Sequence, residues 1–105
     1  MNSGFDLNTW NYQVLMLVQA MIGAITPNFR MVVLSLDGDE WVLTFYLETN
    51  AEDDIEEVDD IVCQYTAYQD SRLKSRYEVV VSDKKLPHLL SSERVVFRRK
   101  EFVGE

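Results

Sequence analysis

The chain is poor in the residues that small folds use for chemistry and for sharp turns: one cysteine, one histidine, two prolines and four glycines in 105 residues. A lone Cys63 excludes an internal disulfide framework and is compatible with a reducing compartment. With His88 as the sole histidine, it cannot assemble a zinc site either. The longest apolar stretch, "VLMLVQAMIGAI" at 14–25, is twelve residues long and includes Gln19 and Gly23, well short of the roughly 20 that a membrane span needs. No positively charged segment precedes an apolar core at the N-terminus, so no secretory signal is read and the cytoplasm is the expected location. Cations are scarce in the first two thirds: residues 1–70 contain thirteen Asp and Glu but a single cation, Arg30.

What is present is an acidic, well-hydrophobic chain. The net charge is −8, although residues 71–105 reverse the local balance with nine Lys and Arg against five acids. Such a chain repels nucleic acid and anionic membrane, which argues against direct binding to either and favours a basic protein partner. An apolar fraction of 47%, with five Phe, five Tyr and two Trp, excludes intrinsic disorder. The length fits one domain over residues 1–105.

Periodicity supplies the elements. Trp10, Val14, Leu17, Val18, Met21 and Ile25 keep three-and-four spacing behind a cap at Asn8 or Thr9, which predicts a first helix that Pro27 ends by disfavouring helical backbone at Thr26. Leu15, Met16 and Ile22 widen its apolar stripe. The runs "FRMVVLSL" and "WVLTFYLE" flank Asp37-Gly38, a strong hairpin signal. Thr49 and Glu52 read as a capping box that starts a second helix, with Ile55, Val58, Ile61, Val62, Tyr65 and Tyr68 on one stripe. Two further strands follow, "YEVVVS" at 77–82 and "RVVFRRKEF" at 94–102, joined by "DKKLPHLLSSE", which is too long for a tight turn. The expectation is an α+β fold, α-β-β-α-β-β, with a four-stranded mainly antiparallel sheet and two helices packed on one face. The other face would be partly solvated and carry Tyr46, Val80, Val96, Arg94, Arg98 and Lys100.

The chemistry-bearing patterns are weak except for one. "DGDEW" places Asp37 and Asp39 at the first and third positions of a calcium loop, but Trp41 and Val42 stand where an oxygen ligand and a glycine are required. No carboxylate on the second helix has a histidine three residues on, so the di-iron pattern is missing. A triad needs a nucleophile, a base and an orienting group, and no glycine-flanked serine or phosphate-cradling glycine loop occurs. Paired carboxylates such as Glu56 and Asp60 could divide acid and base roles only in a pocket, which a convex helix face does not offer. No enzyme, metal or cofactor is expected. The exception is "ETNAEDDIEEVDD" at 48–60, with seven carboxylates in the nine residues from Glu52 to Asp60.

That run has a cost. Seven like-charged pairs three or four residues apart destabilise the helix by about 1.5–3.5 kcal/mol at low salt. Dipole interactions in the first turn return about 1–2 kcal/mol, and burial of the stripe outweighs the remainder at about 1.5–3 kcal/mol per residue. The helix therefore forms despite its charge. Its outer face is either a solvated surface or one built for a cationic partner, where binding relieves the repulsion and the field speeds encounter.

The segment "LVQAMIGAITPNFRMVVLSLDGDEWVLTFYLE", with its G-x-I/V-T-P-N-x-R turn at Gly23 to Arg30, resembles small bacterial immunity proteins of contact-dependent growth inhibition and related toxin systems. The resemblance covers most of the chain. It implies an immunity protein that binds and neutralises the C-terminal toxin domain of a cognate secreted effector, frequently a nuclease, and it implies no catalytic residue. The shared turn is expected to set helix-to-strand geometry, with Arg30 paired to a carboxylate. The binding residues must come from physics: Asp53, Glu56, Glu57, Asp59 and Asp60 on the second helix, Asp37, Asp39 and Glu40 at the hairpin tip, and Tyr46 or Trp41 as an exposed aromatic anchor. The exposed sheet face is the second choice of epitope. The alternative function is a non-catalytic interaction or regulatory module, homodimeric through the first helix or a sheet edge.

Overall fold

The computed structural model describes residues 6–69 and 72–101. Its elements are α1 (Leu7–Met21), β1 (Phe29–Asp37), β2 (Glu40–Leu47), α2 (Glu52–Ala67), β3 (Ser75–Val81) and β4 (Arg94–Arg98), the expected α+β order. The strands form one sheet in the order β3-β2-β1-β4. β1 pairs antiparallel with β2 and β4, whereas β2 and β3 are parallel. That parallel pair follows from α2, because a helical crossover returns the chain to the end of the sheet where β2 began.

Both helices cover one face. Phe29, Val32 and Leu34 of β1 and Trp41, Leu43, Phe45 and Leu47 of β2 meet Leu17, Ala20 and Met21 of α1 and Val58, Ile61 and Tyr65 of α2. Trp10 stands edge-on to Trp41, with ring centroids 4.8 Å apart. β3 and β4 lie on opposite edges, so their connection has to cross the sheet. It crosses the face away from the helices, where Leu86 is buried against Met31 and Val33 with Tyr46 and Leu89 beside them.

Four local expectations are corrected. Asp6, not Asn8 or Thr9, caps α1, accepting from the Thr9 N–H at 2.9 Å. The helix stops at Met21, well before Pro27: Ile22 is extended and Gly23 takes φ +83, a left-handed turn that glycine adopts without strain. The capping box does not form, because the Thr49 N–H and hydroxyl both donate to Asn28 Oδ1, at 2.8 and 3.1 Å, leaving Ala51 as a cap with no side-chain bond. Finally, β4 does not alternate strictly. Val32 faces Phe97 but Val33 faces Val95, so Val96 is an extra residue in the strand. The bulge turns Arg94 to the helix side, its guanidinium 4.8 Å from the Trp10 ring centroid, and packs Val96 against the main core. Arg98, opposite Met31, and Val95, opposite Val33, occupy the open face instead. Lys100 lies beyond the strand.

The hairpin behaves as its sequence requires. Asp37 pairs with Glu40 across a two-residue loop, and Gly38 supplies the positive φ of +66 at the first loop position.

Candidate protein-binding surface

α2 is the element on which the acid run is displayed. At 100° per residue Val58, Ile61 and Tyr65 face the sheet, and they are fully buried. Asp53, Glu56 and Asp60 are exposed and Glu57 is half-exposed. None of the four is in an ion pair with a described residue. Two other acids have partners. Asp54 is buried and accepts from the Thr26 hydroxyl at 2.9 Å, which ties the first turn of α2 to the loop after α1. Asp59 accepts from the Tyr77 hydroxyl at 2.6 Å, and that bond, ahead of desolvation, raises the tyrosine's pKa. The contact also orients the helix. At 100° per residue Glu52 and Asp59 lean toward β3, Glu56 points away from the sheet, and Asp53, Glu57 and Asp60 continue from it round the side toward α1.

The other anticipated residues are not gathered here. β2 runs away from the hairpin tip and α2 begins just beyond its far end, so the acid run and the tip occupy opposite ends of the sheet. At the tip, Asp39 pairs with Lys74 at 3.0 Å, and Arg76 reaches Glu40 at 2.7 Å and Asp37 at 3.3 Å. These exposed pairs add little stability, but they place cations beside all three acids. The Glu40 hydrogen bond is the main reason that the Arg76 pKa is raised. Tyr46 lies on the opposite face of the sheet, half-buried beside Met31 and Val33, and desolvation is the first cause of its raised pKa. Trp41 is 2% exposed and is core, not an anchor. Cys63 and His88 are both exposed. Among the described residues no three His, Cys, Asp or Glu side chains are placed to hold a metal ion.

The T-P-N-x-R segment is a scaffold whose polar side chains all have assigned partners. Thr26 donates to Asp54, the Pro27 carbonyl accepts from Arg99 at 2.7 Å, and the Asn28 side chain both accepts from and donates to the Thr49 backbone. Arg30, 4% exposed, donates from Nη2 to Glu101 Oε1 at 2.8 Å and from Nη1 to the Ser82 carbonyl at 2.7 Å. Arg99 extends the network to Glu101 at 3.0 Å and Glu48 at 2.8 Å. The Arg30 hydrogen bond holds the Glu101 carboxyl below its ordinary pKa. Sequence reasoning anticipated a carboxylate for Arg30 but not which one, since Glu101 is 71 residues away. It also missed the polar link between the helices. There Gln13, which is buried, accepts from the Tyr65 hydroxyl and exchanges hydrogen bonds with Gln69.

A two-layer α+β protein of this size, whose characteristic turn is consumed by structure while a charged helix face is left unpaired, has the form of a small polymorphic-toxin immunity protein. A family model described as MafI2 immunity protein matches residues 11–101, and the chain belongs to that family. The match includes the whole Gly23 to Arg30 segment and reaches Glu101, the ion-pair partner of Arg30. A search of curated proteins found no match. Family membership gives the chain a toxin-neutralising role and a cognate toxin as its partner. Among the described residues no helix is long and apolar enough to cross a membrane.

Proposed function

We propose that this immunity protein neutralises a nuclease toxin, with ribonuclease the first activity to test, by laying the acidic face of α2 over the toxin's basic substrate cleft. The toxin would be the C-terminal domain of an effector delivered by a neighbouring cell, through contact-dependent inhibition or a related system, and the encounter would take place in the cytoplasm. One observation carries the reading: Asp53, Glu56, Glu57 and Asp60 share a face, pair with no described cation and repel one another. A nuclease cleft is built to attract phosphates, so such a face occupies its field without being a substrate. The chain acts as one domain, by binding and without catalysis. Asp59 contributes while bonded to Tyr77. Asp37, Asp39, Glu40 and Tyr46 would be met only by a toxin that extends around the sheet. The test is binding of the adjacent effector's purified C-terminal domain, with an RNA-cleavage assay in parallel. Reversal of Asp53, Glu56, Glu57 and Asp60 to lysine is expected to abolish inhibition and invert the salt dependence of binding. Unchanged affinity and salt dependence would refute the assignment.

The alternative, a homodimeric interaction or regulatory module without an acid-face partner, has its own observation. α1 contains no charged side chain, and Leu7 and Leu15 on it and Ile22 just past its end are exposed by 65%, 51% and 77%. Light scattering at micromolar concentration separates the two, because this reading requires a dimer in the absence of any toxin.

A further inference from the structure

The two edges of the sheet are defended unequally. β4 has five residues, a bulge, and arginines at both ends followed by Arg99 and Lys100, which are the usual devices against strand addition. β3 has seven residues in unbroken parallel register with β2 and contains neither proline nor lysine. Its ladder phase is set by the flanking bonds: the Trp41 N–H donates to the Lys74 carbonyl at 2.9 Å and the Ser82 N–H donates to the Leu47 carbonyl at 3.0 Å. In a parallel ladder alternate residues turn both backbone groups the same way. The even-numbered residues therefore serve β2, and Ser75, Tyr77, Val79 and Val81 direct N–H and C=O outward with no partner among the described residues.

We infer that the outward edge of β3 receives an extended segment of the toxin as a fifth strand, with basic side chains on its helix-facing side. Charge selects that occupant. A strand added beside β3 runs along the flank of α2 to which Glu52 and Asp59 lean, with Asp59 held over the edge by Tyr77 at 2.6 Å. Lysines or arginines at alternate positions of the incoming strand would meet these carboxylates, while its main chain satisfies the open groups of β3. A second copy of this chain is disfavoured at the same edge, because pairing β3 with β3 brings two sets of these acids together. The inference rests on the immunity reading and adds the mode of engagement: the acidic helix and the open edge act as one surface.

The test is amide exchange by NMR on the full chain, free and bound to the effector's C-terminal domain, together with Val81→Pro. Val81 is 43% exposed at the end of β3 and its N–H points away from β2, so proline there leaves the β2 ladder intact. In the free protein the amides of Tyr77, Val79 and Val81 should exchange fast while Arg76, Glu78 and Val80 exchange slowly. In the complex the first set should become protected, and Val81→Pro should weaken affinity by about tenfold or more with its melting temperature held within a few degrees. A complex in which those amides stay unprotected overturns the inference and leaves the immunity reading standing. No complex at all overturns both. Protection of the same amides in a toxin-free dimer overturns the choice of occupant.

Discussion

Arg30 offers the sharpest test of the claim that the shared turn is scaffold and not epitope. Replacement by methionine keeps most of the volume and removes three contacts: Nη2 to Glu101 at 2.8 Å, Nε to Glu101 at 3.4 Å and Nη1 to the Ser82 carbonyl at 2.7 Å. Removing one partner of a fully buried ion pair costs about 3–5 kcal/mol. Here the orphaned carboxylate keeps Arg99 at 3.0 Å and its side chain is 16% exposed, so part of its solvation is restored. The Ser82 carbonyl loses a charge-assisted hydrogen bond. The expected loss is about 2–3 kcal/mol, or about 8–24 °C in melting temperature for a domain of this size. Urea unfolding followed by tryptophan fluorescence measures it, and the adjacent effector's toxin domain supplies the second readout. The folded fraction of Arg30→Met should bind toxin as the wild type does. A loss below about 1 kcal/mol, or full stability with lost toxin affinity, would refute the structural role assigned to the turn.

Three further outcomes follow from the same geometry. Because the Glu101 carboxyl titrates below its ordinary value of 4.5, it contributes stability that is complete above that pH and is lost as pH falls through the folded-state value; Glu101→Gln should flatten the acid limb of stability against pH. A residual slope should remain, in part from Asp6, whose pKa is lowered by the Thr9 N–H. Gln13→Leu should cost about 1–3 kcal/mol in urea unfolding, because it strands the buried Tyr65 hydroxyl, and Tyr65→Phe on that background should recover part of the loss. Glu56→Gln removes four like-charged neighbours, at Glu52, Asp53, Asp59 and Asp60, and should raise stability by about 1–2 kcal/mol at low salt and by almost nothing at 1 M salt.

Much of the fold was readable because it rests on local signals. The two apolar periods, the Asp37-Gly38 turn and the acid run on α2 each lie within a window of sixteen residues or fewer, and the elements they predict form, although α1 stops before Ile25 and the stripe of α2 ends before Tyr68, which is exposed. What failed did so where a distant residue outbid a local one. Thr49 had the spacing for a capping box, yet Asn28 offers both a donor and an acceptor to its backbone and captures it. Strict alternation placed Arg94 on the open face, but a single extra residue at Val96 reverses it and delivers the guanidinium to Trp10. The anticipated binding residues were read by charge alone, and charge carries no information on which end or face of the sheet a residue occupies. Only the folded chain separates α2 from the hairpin tip and puts Tyr46 behind both.

The sequence by itself determined the element types and their order, the residues Val58, Ile61 and Tyr65 that fasten α2 to the sheet, and the excess of carboxylates that structure does not require. These depend on backbone periodicity and on charge, which are properties of neighbours along the chain. Tertiary structure alone decided that Arg30 answers Glu101, that β2 and β3 run parallel, and that the β3 edge is open beside the acidic flank of α2. Each of these depends on which strands become neighbours once the helices bury the core. That arrangement follows from packing the whole chain and is not encoded in any one segment of it.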